Sequence, residues 1–220
     1  MEIGLGIFAK TAGLSPVKTR LAAGIGEVKA QEFYALSVRA IEDVAKALPS
    51  MIHPHWAVAE YEGLAAQQWK SLPHFWTGEG DLGQRLHQVY SHLRQQHGAA
   101  MLIGTDSPQL SPALLQHAQE TLRQHPQSIV MAPCDDGGFT LFAAAVEISA
   151  TMWESVEYSH STTLVQLIEQ LEAVGWQVKK LVSQQDVDVV EDLTSLKVTL
   201  QKKQNLLPAQ RQLLRWLEER

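Results

Sequence analysis

The sequence predicts an α/β protein, a layered sheet with helices packed on both faces. Three observations carry this. Short apolar runs alternate with longer amphipathic stretches along the whole chain, as they do where strands and helices take turns. The polar clusters capable of chemistry fall directly after the apolar runs, where open α/β sheets bind ligands. The chain has 220 residues, 45% hydrophobic and 19% charged, which is ordinary globular composition. A single domain of this size buries roughly 70% of the surface that its unfolded chain exposes.

The elements follow in order. Ile3–Ala9 reads as a buried first strand, with Gly4 and Gly6 inside it. A loop containing Gly, Pro and Ser occupies residues 11–16. Phe33, Leu36, Ala40, Ile41, Val44 and Leu48 recur at helical spacing and predict a helix over residues 28–48. Residues 52–59 form a second strand that starts at His53-Pro54-His55. A helix over 82–95 is entered from the glycine-rich segment 77–81. Ala100–Gly104 is a compact apolar strand running into Thr105-Asp106. Ser111 caps the next helix and Pro112 opens it, since proline is tolerated at the first helical position. Strands follow at 128–132 and 139–145, and a helix over 161–174 stops at Gly175. A late strand spans 176–182, and helices close the chain over 191–203 and 208–219. The expected domain is 1–220, with 204–220 a C-terminal helix whose leucines pack on its own domain.

Charge and cysteine content exclude several classes. The formal net charge is -6, from 18 Lys+Arg against 24 Asp+Glu, which argues against a nucleic-acid polymer or an anionic membrane as partner. Cys134 is the one cysteine, so an intramolecular disulfide and a cysteine-based zinc site are both out. No apolar run approaches the ~18 residues of a membrane span. The first residues carry no basic leader or cleavage site, and the expected compartment is a reducing cytoplasm.

Five segments hold residues suited to chemistry. Residues 10–20 carry Lys10, Lys18 and Arg20, and no acid occurs between Glu2 and Glu27. Three cations in a loop after a buried strand suit a polyphosphate; alone, such a loop is more often a solvated basic turn. A phosphate-binding P-loop does not match, because Lys18 stands at its second-glycine position, and no dinucleotide fingerprint follows the strand. Asp106, at the end of a central strand, suits Mg²⁺, which prefers carboxylate oxygens; the alternative is a cap on the helix near Ser111. Asp135-Asp136-Gly137-Gly138 lies between two strands and serves equally as a type I′ hairpin turn or as an acidic group facing an acceptor or a metal. Asp186-Val187-Asp188 in extended chain points both carboxylates to one side; alternatively Asp188 caps a helix with Glu191 completing a capping box, and the two readings combine if Asp186 faces the site while Asp188 caps. Finally, the helix start near Leu82 would offer free N–H groups and Arg85 to an anion or a base. The histidines and tryptophans read as surface or packing residues, and Cys134 as a small packing residue.

In combination these segments are far more specific. The ordered set is Phe8-Ala9-Lys10 with Val17-Lys18-Thr19-Arg20-Leu21, Gly80-Asp81-Leu82-Gly83-x-Arg85, Ile103-Gly104-x-Asp106-Ser107-Pro108, Asp136-Gly137-Gly138-Phe139 and Asp186-Val187-Asp188-x-x-Glu191-Asp192-Leu193. It resembles the glycosyltransferase-A-like family of the arsenosugar-biosynthesis type, a branch of the nucleotide-diphospho-sugar transferase superfamily, from residue 3 to about 196. The chain departs from that pattern in the longer turn around Ala12 and Leu14-Ser15-Pro16, at Phe139, where tyrosine is commoner, and in lacking a glycine after the strand that begins there.

The resemblance implies a three-layer α/β/α sandwich, Rossmann-like, with a mixed and mostly parallel sheet (the GT-A fold). It implies nucleotide binding by Phe8, Ala9, Lys10, Lys18, Arg20, Gly83, Arg85 and Thr105. Asp106, with Asp186 or Asp188, would hold Mg²⁺ or Mn²⁺, and Asp136, Gly137 and Gly138 would line the acceptor side. Asp136, Lys18 and Arg20 would be catalytic. The expected function is a metal-dependent glycosyltransferase using a nucleotide or nucleotide-sugar and a small-molecule acceptor. The alternatives are a guanylyltransferase-like nucleotidylyltransferase acting on a phosphorylated small molecule, and a non-catalytic nucleotide-binding module.

Overall fold

The computed structural model describes residues 1–220. Its strands are β1 (Ile3–Ala9), β2 (Ile52–Val58), β3 (His74–Trp76), β4 (Ala100–Gly104), β5 (Ser128–Pro133), β6 (Phe139–Ala144) and β7 (Gln177–Lys180). They form one seven-stranded sheet in the order β3-β2-β1-β4-β6-β5-β7. Only β6 runs against its neighbours, because a short turn from β5 sends it back; the other pairs are parallel. The fold is therefore the mixed, mostly parallel α/β arrangement that the resemblance implies.

Helices α2 (Glu27–Lys46) and α4 (Pro112–Gln124) cover one face, and α3 (Leu82–His97), α5 (Ala150–Glu154) and α6 (Thr163–Ala173) cover the other. The alternation of β1 explains its composition. Ile3, Leu5, Ile7 and Ala9 point into the α2/α4 core. Gly4 and Gly6 point toward α3, where a Cβ would come within 2.6 Å of His97 and 2.8 Å of Val89. These glycines let α3 lie close on the central strand.

Elements that the periodicity missed are short. They are α1 (Thr19–Ile25), β3, α5 and two single-turn 3-10 helices at Glu62–Ala65 and Gln67–Trp69. Each is below the length at which a period of 3.6 or 2 can be read. Helix α6 ends as expected: the Trp176 N–H bonds Leu171 O at 3.0 Å and the Gly175 N–H bonds Glu172 O at 2.9 Å, a Schellman stop. Helices α7 (Val190–Lys202) and α8 (Pro208–Glu218) join α1 and α2 in a third core, with Leu196, Leu213 and Phe33 fully buried. No helix is long and apolar enough to cross a membrane.

Strand register fixes where the polar residues go. Phe8 pairs with Gly104, Ala9 with Val58, and Val58 with Trp76. The carboxyl ends of β1 to β4 thus lie level, bringing Lys10, Ala59, Thr77 and Thr105 to one edge. After β7 the chain walks back across the sheet ends. Leu181 N–H bonds Met131 O, Gln184 N–H bonds Pro133 O and Val187 N–H bonds Asp106 O, at 2.8, 2.8 and 3.1 Å. The fully buried Val187 anchors that walk, and Asp186 and Asp188 arrive beside Asp106.

Candidate functional site

Two adjoining cavities open along this edge. The larger, about 580 Å³, lies over the ends of β1, β2 and β4 and holds Lys10, Lys18, Arg20, Arg85, Thr105 and Tyr34 among its lining. The smaller, about 300 Å³, lies toward β6 and α6 and holds Asp136, Asp186, Phe139, Tyr158 and His160. Phe8, Arg20, Asp106, Ser159 and Asp188 line both, so the two spaces meet at the carboxylates.

The loop after β1 is tied down at its start. The Lys10 N–H donates to the Tyr34 hydroxyl at 2.8 Å, and that hydroxyl donates to Lys10 O at 2.8 Å. Burial pushes the Tyr34 hydroxyl up to about 12, so it keeps the proton that it donates. Next, the Thr11 N–H donates to Glu60 Oε2 at 2.8 Å, and the Leu14 and Ser15 N–H groups close a turn on Thr11 O at 3.0 and 3.1 Å. The backbone is held, while the Lys10 side chain stays exposed at the cavity.

Lys18 behaves differently from a free phosphate ligand. Its backbone is left-handed, φ 50° and ψ 44°, which costs a non-glycine residue about 1–3 kcal/mol. That conformation turns its side chain inward, 4% exposed, with Nζ 2.6 Å from Asp106 Oδ1 and 3.5 Å from Asp188 Oδ1. Nζ also donates to Val187 O at 2.5 Å. The Arg20 guanidinium, largely exposed, meets Asp188 Oδ2 at 2.5 Å. An ammonium thus already sits between two of the three carboxylates expected to bind metal. A place that draws one buried cation between hard oxygens has the donor chemistry for Mg²⁺ or Mn²⁺, with Asp186 close by.

Arg85 is a strut. Its Nη1 donates to Ala59 O at 2.7 Å and Thr77 Oγ1 at 2.9 Å, and its Nε to Gly80 O at 2.9 Å. It braces the ends of β2 and β3 at the cavity wall. The start of α3 is not an open anion site: the Asp81 side chain accepts from the Gln84 N–H at 2.9 Å, and the Gln84 side chain accepts from the Asp81 N–H at 3.1 Å. Gly83 lies outside both cavities. A Cβ there would come within 2.7 Å of the Trp153 carbonyl, so the glycine serves the packing of α3 on α5.

At the smaller cavity, residues 134–138 form a turn closed by Gly137 N–H to Cys134 O at 3.1 Å and Cys134 N–H to Gly138 O at 2.9 Å. Only Gly137 has positive φ, so this is not the type I′ turn, which needs it at two residues. Asp136 is exposed, and its Oδ1 accepts from the Gly138 N–H at 2.8 Å. Gly137 packs against Ser161, whose carbonyl a Cβ would overlap. The expected helix cap at Asp188 also fails. Asp192 Oδ2 takes the N–H groups of Asp188 and Val189 at 2.8 Å each, freeing the Asp188 carboxylate for Arg20 and Lys18.

Cys134, Asp136 and Asp186 bring their ligand atoms within 4.8 Å of one another. Burial pushes the Asp186 carboxyl up to about 6, and a hydrogen bond from Cys134 pulls the other way. Burial pushes the thiol up to about 12, so it donates to Asp186 as a neutral group. Sequence reasoning missed that bond, along with Tyr34, Glu60 and the segment from Tyr158 to His160. Tyr34 lies mid-helix with no local signal. Ser159, at φ 59°, lines both cavities from a Ser/His/Thr-rich run after β6, a composition that the sequence does display.

Known structures share the fold. A protein from Desulfovibrio desulfuricans G20, described as a candidate nucleotide-diphospho-sugar transferase, is 21% identical with a TM-score of 0.87, covering 100% of this chain and 96% of its own. A 4-diphosphocytidyl-2C-methyl-D-erythritol synthase from Anaerococcus prevotii DSM 20548 is 14% identical with a TM-score of 0.59, covering 91% and 96%. A CMP:2-keto-3-deoxy-manno-octonic acid synthetase, complexed with CTP, is 10% identical with a TM-score of 0.58, covering 92% and 99%. The architecture is thus that of the nucleotide-diphospho-sugar transferases and nucleotidyltransferases. No curated protein matches by sequence. A family model described as an uncharacterized protein conserved in bacteria matches residues 45–160, more than half of the chain, and the protein belongs to that family, DUF2064.

Proposed function

We propose that this protein is a metal-dependent transferase that takes a sugar from a nucleotide-diphospho-sugar and gives it to the hydroxyl of a small acceptor. The observation that carries this reading is the meeting of two unlike cavities at one carboxylate set. Lys10 and Arg20 face the larger cavity, where a departing diphosphate would gather charge. Asp136 faces the smaller, where an acceptor would lose a proton. The motif resemblance to arsenosugar-type glycosyltransferases points the same way.

In the reaction, the acceptor hydroxyl oxygen forms a bond to the anomeric carbon. The bond from that carbon to the diphosphate oxygen breaks, and the nucleoside diphosphate leaves with the electron pair. The hydroxyl proton passes to the Asp136 carboxylate. Asp106, with Asp186 or Asp188, is the fitting holder for a divalent cation, which when bound supplies positive charge to the diphosphate. Lys18 keeps Asp106 and Asp188 apart but adjacent, and Arg20 orients Asp188.

A nucleotidyl-transfer reading draws on one observation, the density of cations at the larger cavity, which would suit a triphosphate. There an acceptor phosphate would attack the α-phosphorus and pyrophosphate would leave. A module that only binds nucleotide would not need the gathered carboxylates. Thermal-shift titrations with nucleotide sugars and nucleoside triphosphates, each with and without Mg²⁺, separate the three, since a ligand stabilises the state it binds by mass action. Metal-dependent stabilisation led by a nucleotide sugar, followed by turnover, is the expected result. Preference for a bare triphosphate would favour nucleotidyl transfer, and no response to any nucleotide would sink both.

A further inference from the structure

We infer that the acceptor is an uncharged hydroxyl compound with an apolar face, such as a glycoside or polyol ring, and not a phosphate ester. The inference rests on the proposed division between donor and acceptor cavities. Its grounds are the shape and charge of the smaller one.

That cavity, about 300 Å³, is at the small end for ligand sites and suits a single ring with a modest substituent. One wall is apolar, built from Phe8, Leu86, Leu102, Phe139 and Tyr158. The Tyr158 hydroxyl donates to Trp153 O at 2.9 Å, so its polar end is already satisfied and the ring serves as surface. Phe139 is steadied by Phe142, with ring centroids 6.2 Å apart. Aromatic faces of this kind suit the C–H face of a sugar ring and offer a phosphate nothing.

The charged groups lining the cavity are Asp106, Asp136, Asp186 and Asp188 against Arg20, with His160 and Tyr158 the other titratable groups. Arg20 is paired with Asp188, and the neighbouring Lys18 with Asp106. His160 Nδ1 is engaged by Thr162 Oγ1 at 2.8 Å, leaving Nε2 for a neutral hydroxyl. A phosphate ester entering here would meet like charge with no uncommitted Lys or Arg to receive it. Even with a divalent cation on these carboxylates, the four carboxylates outnumber the positive charge of Arg20 and the cation together. The larger cavity differs in sign, with Lys10, Lys18, Arg20 and Arg85 against Asp106 and Asp188, and of these cations Lys10 is exposed there with no ion pair.

The test is ligand-observed saturation-transfer NMR on the full chain with Mg²⁺. The probes are phenyl β-D-glucoside, phenyl β-D-galactoside and phenyl β-D-riboside against glucose 1-phosphate and ribose 5-phosphate, with UDP, GDP, CDP and ADP titrated in parallel. At least one phenyl glycoside should saturate and neither phosphate should. Asp136→Asn should weaken the glycoside roughly tenfold, the scale of one lost hydrogen bond. Asp136→Arg, a change at an exposed residue, should abolish glycoside binding and admit the phosphates. Phosphate esters binding the wild type as well as glycosides, or neither class binding, would overturn the inference. Loss of all diphosphate binding would instead break the donor reading, so the two failures are told apart.

Discussion

The two cavities share strand ends and differ in the groups that line them. The larger rests on strand ends and is fastened by Tyr34, Glu60 and Arg85, whose hydrogen bonds fix backbone and leave Lys10 outside. The smaller takes its apolar wall from β1, α3, β4 and β6, and its acidic side from loops, with the turn 134–138 leaning on the segment that carries Ser159, His160 and Ser161. One concentrates cations on a rigid frame; the other sets carboxylates beside an aromatic wall. A rigid cationic frame suits a donor whose diphosphate is common to many substrates. An acidic side carried by loops suits a partner that differs from one relative to the next.

The sharpest way to break this contrast is at Lys18, which serves the boundary. Lys18→Met removes the cation between Asp106 and Asp188 and leaves their charges facing each other. Turnover should fall by roughly 100-fold or more, the scale of one lost electrostatic partner in a site. Steady-state kinetics on the purified variant would check this; near-normal kcat would remove Lys18 from the chemistry.

Gly137→Ala comes next. At φ 91° with the Ser161 carbonyl in the way, the new methyl should cost about 1–3 kcal/mol and shift the acceptor turn. Acceptor KM should rise while nucleotide affinity holds, as read by kinetics and calorimetry side by side. Equal damage to both would mean that the cavities are one unit.

Tyr34→Phe probes the other side. It removes the hydroxyl that serves both the N–H and the C=O of Lys10, at a cost of about 1–3 kcal/mol for unmet buried groups. Nucleotide Kd should weaken several-fold and acceptor binding should not change. The reverse pattern would contradict the clamp.

The smallest expected effect lies far from both cavities. His53 stacks on His97 at 4.6 Å and His55 lies near both, with His92 and Glu2 as the other charged neighbours. Burial holds His55 and His97 below the usual 6.5. Their stabilising contribution is therefore present above pH 6.5 and lost as pH falls through the lowered folded values. The melting temperature should drop on mild acidification, and His55→Gln should flatten that drop without changing nucleotide affinity at pH 7.5. A wild-type melting curve indifferent to pH there would count against the histidine cluster as a source of acid sensitivity.

Much of the frame was legible in the chain because apolar runs and cap residues are local signals. β1, β4 and the Gly175 stop are read from a few adjacent residues. The site was legible as motifs but not as geometry. That Lys18 turns inward follows from a left-handed backbone which its residue type does not advertise. That Asp188 is free follows from Asp192 taking the cap, a competition that Glu191 and Asp192 enter as near equals in sequence. Tyr34 reaches Lys10 only through tertiary packing, 24 positions along the chain. Gly83 fits the motif while its structural role is contact with Trp153.

The central claim is that the carboxylates at the junction hold a divalent cation beside a nucleotide diphosphate seated on the cationic side. Manganese titration of ¹⁵N-labelled protein, with the best-binding nucleoside diphosphate present, tests it directly, because paramagnetic broadening marks residues near the ion. Broadening confined to Lys18, Asp106, Asp186, Asp188 and their neighbours, and strengthened by the nucleotide, is the predicted result. Broadening centred on the distant His53–His97 pair, or none that depends on nucleotide, would contradict it.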